Sequence, residues 1–131
     1  MSRYRDPFDS ARKIAGKTDP QVTNYFHSSV ILDRRGRIIS SGVNHFTGNS
    51  ITVDDEPLSK TIHSEIHALR KVNIRRLSGA TMINYARTNV SSNLARPCPS
   101  CWAILKKLGF RKIFYSTRSP LDSINWKEEL L

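Results

Sequence analysis

The sequence predicts a three-layer α/β fold, with a mixed sheet of about five strands flanked by helices and a last strand running antiparallel. Three observations carry this. Residues 25–43 hold two runs rich in aromatic and β-branched residues on either side of Asp33-Arg34-Arg35-Gly36, which is a hairpin signal. Beyond residue 60, helical periodicity over 62–72 and 99–108 alternates with strand-like runs at 80–86 and 112–115. Finally, two short polar groups, His63-Ser64-Glu65 and Pro97-Cys98-Pro99-Ser100-Cys101, both fall at helix starts, where ligands sit in sheets of this kind.

A chain of 131 residues with 38% hydrophobic content is expected to form one domain over 1–131, large enough to bury a core without staples. Met1-Ser2-Arg3-Tyr4-Arg5-Asp6 lacks the apolar run of a signal peptide, and no segment approaches the ~20 apolar residues of a membrane span. The expectation is an intracellular, reducing setting with no membrane partner. A disulfide between the two cysteines would close a very small loop and stabilise little. The formal charge of +10 suggests a polyanionic partner or a phosphorylated substrate, a solvated basic surface being the plain alternative.

In chain order, residues 7–17 form a first helix with Phe8, Ala11, Ile14 and Ala15 at helical spacing, stopped by Gly16 and Asp19-Pro20. The hairpin follows, Gly36 suiting a left-handed turn position. Residues 44–60 read as a polar loop, long enough to wall a pocket or to be a surface insertion. Thr61 is expected to cap the second helix, which places Ile62, Ile66, Leu69 and Val72 on one side and turns Ser64 and Lys71 away. Glu65 falls inside that apolar arc, a costly place for a carboxylate without a partner or a task. After the 80–86 strand, residues 87–95 read as a polar excursion. The third helix turns Cys101, Ile104, Leu105 and Leu108 inward and ends at Gly109. Residues 123–127 are expected to return antiparallel beside 112–115.

Glu65 lies two residues after His63, and Pro97 follows 32 residues after Glu65. His-x-Glu followed by Pro-Cys-x-x-Cys is a signature of zinc nucleobase deaminases. With these motifs, residues 30–116 resemble the cytidine/deoxycytidylate deaminase superfamily, which also includes tRNA adenosine deaminases and polynucleotide cytosine deaminases. The resemblance implies a cytidine-deaminase-like fold, Zn2+ as cofactor, His63, Cys98 and Cys101 as its ligands, and Glu65 as the catalytic residue. The chemistry agrees. A catalytic zinc needs three protein ligands and an open position for water, whose pKa it lowers from about 15.7 towards roughly 7. Cys-x-x-Cys at a helix start lets two sulfurs converge, and the free N–H groups there favour thiolate. Pro97 stiffens the approach, and Pro99 suits the first helical turn. Glu65 is placed to take the water's proton and pass it to the ring nitrogen and the departing ammonia, as C4 of cytosine (or C6 of adenine) gains a carbonyl.

Further likeness lies in Arg37-Ile-Ile-Ser-Ser-Gly-Val-Asn44, similar to the family's second strand ending in an Asn that holds the sugar. That role passes to Asn44, capping a turn being the alternative. Ser64 stands where the family usually has Ala, and its backbone N–H is the group expected to contact the base. Residues 79–83 and 110–115 resemble the third and fourth strands. Departures are His67, where many relatives have Asn, the long stretch between Glu65 and Pro97, and Arg96 before Pro97, where many relatives have Ser or Glu.

Other readings of the motifs remain open at this point. Cys98-Pro-Ser-Cys101 alone matches a redox pair, although that motif normally follows the first strand of its unit. A closed structural zinc site would recruit His67 as fourth ligand. The order His-x-Glu-x-His is not that of zinc proteases. For substrate, a free cytosine nucleoside or nucleotide is expected, and a base in single-stranded DNA or RNA is the alternative. A third reading is a non-enzymatic nucleic-acid-binding module with structural zinc. Basic clusters exist at Arg34-Arg35-Arg37, Arg70-Lys71, Arg75-Arg76, Lys106-Lys107 and Arg111-Lys112, but aromatics interleaved with them are few. An antiparallel last strand resembles the cytidine deaminase branch, whose members commonly form homo-oligomers.

Overall fold

The computed structural model describes residues 6–15, 26–46, 52–53, 56–57, 61–62, 64–88 and 90–131. Five longer strands form the sheet in the order β2 (Ile38–Val43), β1 (Phe26–Leu32), β7 (Thr81–Arg87), β9 (Lys112–Ser116) and β11 (Trp126–Leu130). β1 is antiparallel to both β2 and β7, β7 and β9 are parallel, and β9 and β11 are antiparallel. The sheet is therefore mixed and its last strand antiparallel, as expected.

Period-two alternation divides the strands between two cores. Val30, Ile83 and Tyr85 face α1 (Pro7–Ala15), which buries Ala11 and Ala15 against them and packs Phe8 and Ile14 alongside. Ile31, Met82 and Ile113 share the other core with Ala68 of α2 (Ser64–Leu69) and Leu105 of α3 (Pro99–Lys107). Helices on both faces of one sheet make three layers. Gly36 (φ +83°) closes the β1–β2 turn, and Gly109 (φ +91°) ends α3, both in the left-handed region that favours glycine.

Several expectations are corrected. The second helix begins at Ser64, because Thr61 and Ile62 are taken up by β6 (Thr61–Ile62), which pairs with β3 (His45–Phe46). Thr61 is thus a ladder residue and not a helix cap. The helix gives way to a turn from Arg70, followed by a 3₁₀ turn at Ile74–Arg76. Within the stretch read as loop, β4 (Thr52–Val53) pairs with β5 (Glu56–Pro57), and most of its other residues lie outside the described ones. The polar excursion at 87–95 folds back on β7 as β8 (Ser91–Asn93), with Thr88 N–H donating to the Ser91 carbonyl at 2.9 Å. The last strand comes later than 123–127. β10 (Ser119–Pro120) first pairs with β8, and the chain turns through Ser123 before β11 begins. Ile104 is 39% exposed and so does not face the core.

Candidate active site

α3 is built to present two thiols. Cys98 is its N-cap, in extended backbone, and its Sγ accepts the Cys101 N–H at 3.5 Å. Pro99 fills the first helical position, where the missing N–H costs nothing. Cys101 is buried and Cys98 half-buried. Burial pushes the Cys101 thiol well above its ordinary range, and the neighbouring Glu65 carboxylate and Cys98 sulfur push it further. Two sulfurs and a carboxylate therefore converge at one place. The two sulfurs suit zinc, a soft-tolerant cation that deprotonates a coordinated thiol and so offsets the cost that burial and negative neighbours impose on the thiolate, while the described residues hold no complete set of three ligands. His63, the third ligand inferred from the sequence, lies outside the described residues.

Glu65 is 1% exposed. Its Oε1 accepts the Ser64 hydroxyl at 3.0 Å. Ser64 Oγ is also 2.7 Å from Ser29 Oγ, which lies 2.6 Å from Asn84 Oδ1; with the Ser64 proton on Glu65, the single Ser29 proton is shared between these two acceptors. Asn84 Nδ2 donates to the Ala95 carbonyl at 3.3 Å, which fixes the orientation of its amide. Ser29, Ser64 and Asn84 are each fully buried. A polar chain thus runs from the centre of the sheet through α2 to the carboxylate. Ser64 is not turned away as expected; its side chain is the middle link.

Gly42 sets the distance between α2 and the sheet. A Cβ there would lie 2.5 Å from Ala68 N and 2.6 Å from the Ser64 carbonyl oxygen, so only a bare backbone allows this approach. Next to it, the Val43 N–H donates to His67 Nδ1 at 3.0 Å, and the Val43 carbonyl lies 3.1 Å from the same nitrogen. That nitrogen is engaged by backbone, which fixes the orientation of the ring. Asn44 is buried, its Oδ1 accepting the His27 N–H at 3.0 Å and its own N–H donating to the His27 carbonyl at 3.1 Å. Asn44 thus extends the β1–β2 ladder by one step.

The approach to the cysteines is held from the far end of the chain. Arg96 Nε donates to Glu129 Oε2 at 2.8 Å, and the Tyr115 hydroxyl donates to the same oxygen at 2.6 Å. The Arg96 guanidinium also lies over the Trp102 ring, 4.4 Å from its centroid. Arg96 and Tyr115 hold the Glu129 carboxyl below the ordinary range, and the tie to Glu129 raises Arg96.

Of the residues singled out from the sequence, Glu65, Cys98 and Cys101 come together, with Ser64 bonded to Glu65. Asn44 sits on the neighbouring strand end. Ser29, Asn84 and Glu129 were missed. The available signal was a polar residue at an inward position of a strand: Ser29 beside Val30-Ile31, and Asn84 between Ile83 and Tyr85.

The fold is similar to the crystal structure of cytidine deaminase from Burkholderia pseudomallei, with TM-score 0.59 and 13% identity over 97% of this chain and 92% of that one. No curated protein matches the chain in sequence. The family described as the cytidine and deoxycytidylate deaminase zinc-binding region matches residues 1–117. With that match spanning both motifs and nearly the whole sheet, the chain belongs to the cytidine and deoxycytidylate deaminase family.

Proposed function

We propose that this chain catalyses zinc-dependent hydrolytic deamination of cytosine to uracil in a free nucleoside or nucleotide, residues 1–131 acting as a single deaminase domain. The observation that carries this reading is the buried Glu65 carboxylate set against Cys101 of the Cys-x-x-Cys pair. His63, Cys98 and Cys101 are the residues that would hold Zn2+, which when bound lowers the pKa of a water to roughly 7. Glu65 takes one proton from the attacking water and delivers it to N3 of the ring. It then hands a second proton to the leaving amine. Atoms balance: water adds at C4, the C4–N bond breaks, ammonia departs and a carbonyl remains. The Ser64 backbone N–H is at the first helical position, where no intrahelical partner exists, and is assigned to the base. Asn44, buried at the end of the β1–β2 ladder, is assigned to the sugar.

The net charge of +10 favours a second reading, a base within single-stranded DNA or RNA delivered to the same pocket. One panel separates the two: cytidine, deoxycytidine, their mono- and triphosphates, and cytosine-containing oligonucleotides. Small substrates are expected to turn over, with a shallow salt dependence. Turnover of oligonucleotides alone, with log K falling by about 0.7 per phosphate engaged for each tenfold rise in salt, would reverse the assignment. Glu65→Gln should retain zinc and fold while losing at least ~10²–10⁴ in rate. Cys98→Ser should lose zinc. A Cys98→Ser protein with full zinc content, or an active Glu65→Gln, would overturn the mechanism.

A further inference from the structure

At the end of the sheet remote from the cysteines, two arginine runs that are far apart in sequence meet. Asp33 to Gly36 turn the chain at the carboxyl end of β1, level with Thr81 at the start of β7, whereas Cys98 follows the opposite end of β7. The 3₁₀ turn after α2 brings Arg75 and Arg76 to the same place. Together Arg34, Arg35, Arg37, Arg75 and Arg76 wall a cleft of about 370 Å³ around Asp33.

One carboxylate organises this cluster without neutralising it. Asp33 Oδ1 accepts the backbone N–H groups of Arg35 and Arg37 at 2.9 and 3.0 Å, an arrangement built into the turn. Its Oδ2 meets Arg37 Nε at 3.1 Å and Arg76 at 4.0 Å. Both guanidinium side chains remain more than half exposed, at 62% and 54%. Among the described residues, Arg34, Arg35 and Arg75 have no carboxylate partner. Five like charges gathered in one concave place repel each other, so the cleft is poised for an anionic occupant. Guanidinium forks match phosphate bidentately.

We propose that this cleft is a docking site for the phosphodiester backbone of a double-stranded nucleic acid. Several cations facing one partner suit a repeating polyanion. Among the described residues no aromatic side chain lines the cleft, which therefore presents no stacking platform of the kind that binds single strands. Its position at the other end of the sheet separates it from Glu65, so docking there tethers the protein and does not fill the pocket. The inference stands apart from the assigned reaction, because it concerns binding alone.

The test uses the full chain and a fluorescently labelled RNA or DNA duplex, with anisotropy followed across salt concentrations. A single strand of the same length, phosphatidylserine vesicles and polyglutamate are the competing probes. The duplex is expected to bind most tightly. Arg34→Gln combined with Arg75→Gln leaves the Asp33 contacts in place and should make the salt slope shallower by about 2 units, about 1 for each phosphate no longer neutralised. Arg12→Gln with Lys13→Gln, on the exposed surface of α1, changes net charge equally and should leave the slope nearly unchanged. Equal effects from the two pairs would reduce the cleft to general charge and overturn the proposal. So would preference for vesicles, polyglutamate or the single strand. Cytidine turnover measured alongside should be the same in both pairs, and its absence in every protein would count against the deaminase assignment only.

Discussion

A carboxylate with 1% exposure needs partners, and Glu65 finds one in the Ser64 hydroxyl. Ser64 lies against Ser29, and Ser29 against Asn84, so Glu65 is positioned by a run of close polar contacts anchored in the sheet. A hydrogen bond to a charged group is worth about 1.5–3 kcal/mol. If that energy positions the carboxylate for proton transfer, Ser64→Ala should lower kcat roughly tenfold to a hundredfold with KM and zinc content unchanged. In a Glu65→Gln background the same substitution should change nothing further. Steady-state kinetics with elemental analysis decide this, and an undiminished kcat in Ser64→Ala would show the hydroxyl idle. Histidine, glutamate and cysteines at fixed spacing were legible in the sequence because chemistry constrains residue type and separation together. Ser29 and Asn84 were not, because an inward polar residue acquires meaning only when the element opposite it is known.

At the scale of elements, α2 is placed by an absence. Its first turn lies against Gly42 so closely that a methyl group would overlap Ala68 N and the Ser64 carbonyl. These are backbone atoms, which cannot swing aside. Gly42→Ala is expected to push the helix outward, costing roughly 1–3 kcal/mol by overpacking. Since α2 carries Glu65, activity should fall by more than the loss of folded protein explains. Thermal unfolding and kcat measured together test this, and a variant with unchanged melting temperature and full activity would refute it. The same element shows where sequence reasoning stopped. Apolar spacing located the helix, but its start was set by the β3–β6 ladder, which claims the Thr61 and Ile62 backbone. Residues 91–93 likewise became a strand because β7 and β10 offered partners, not because Ser91, Ser92 and Asn93 favour that state. Apolar strands were readable from local pattern, whereas short polar ones depend on a neighbour distant in sequence.

Across the whole molecule, the chain's last strand reaches back to the entrance of the cysteine motif. β11 pairs along β9, and from it Glu129 grips Arg96, one residue before Pro97, together with Tyr115. Arg96, Tyr115 and Lys127 are the groups that act on this carboxylate, and together they favour its ionised form. A carboxyl with a lowered folded-state pKa contributes stability that is fully present above its unfolded value, near 4.5, and is lost as pH falls through the folded one. Glu129→Gln removes that contribution. The melting temperature of the variant should therefore lie below wild type at neutral pH. The gap should narrow as pH falls from about 4.5 towards the lower folded-state value, where the wild-type carboxyl gains its proton and becomes a neutral acceptor like the amide. Thiolate protonation weakens zinc retention over the same range, so zinc content is measured in both proteins at each pH. The side chain is 30% exposed, so added salt should also narrow the gap at neutral pH. Unfolding scans of the two proteins at pH 7 and pH 3 make the comparison. A gap of constant size would mean that Glu129 holds Arg96 through shape and hydrogen bonding, with its charge contributing nothing.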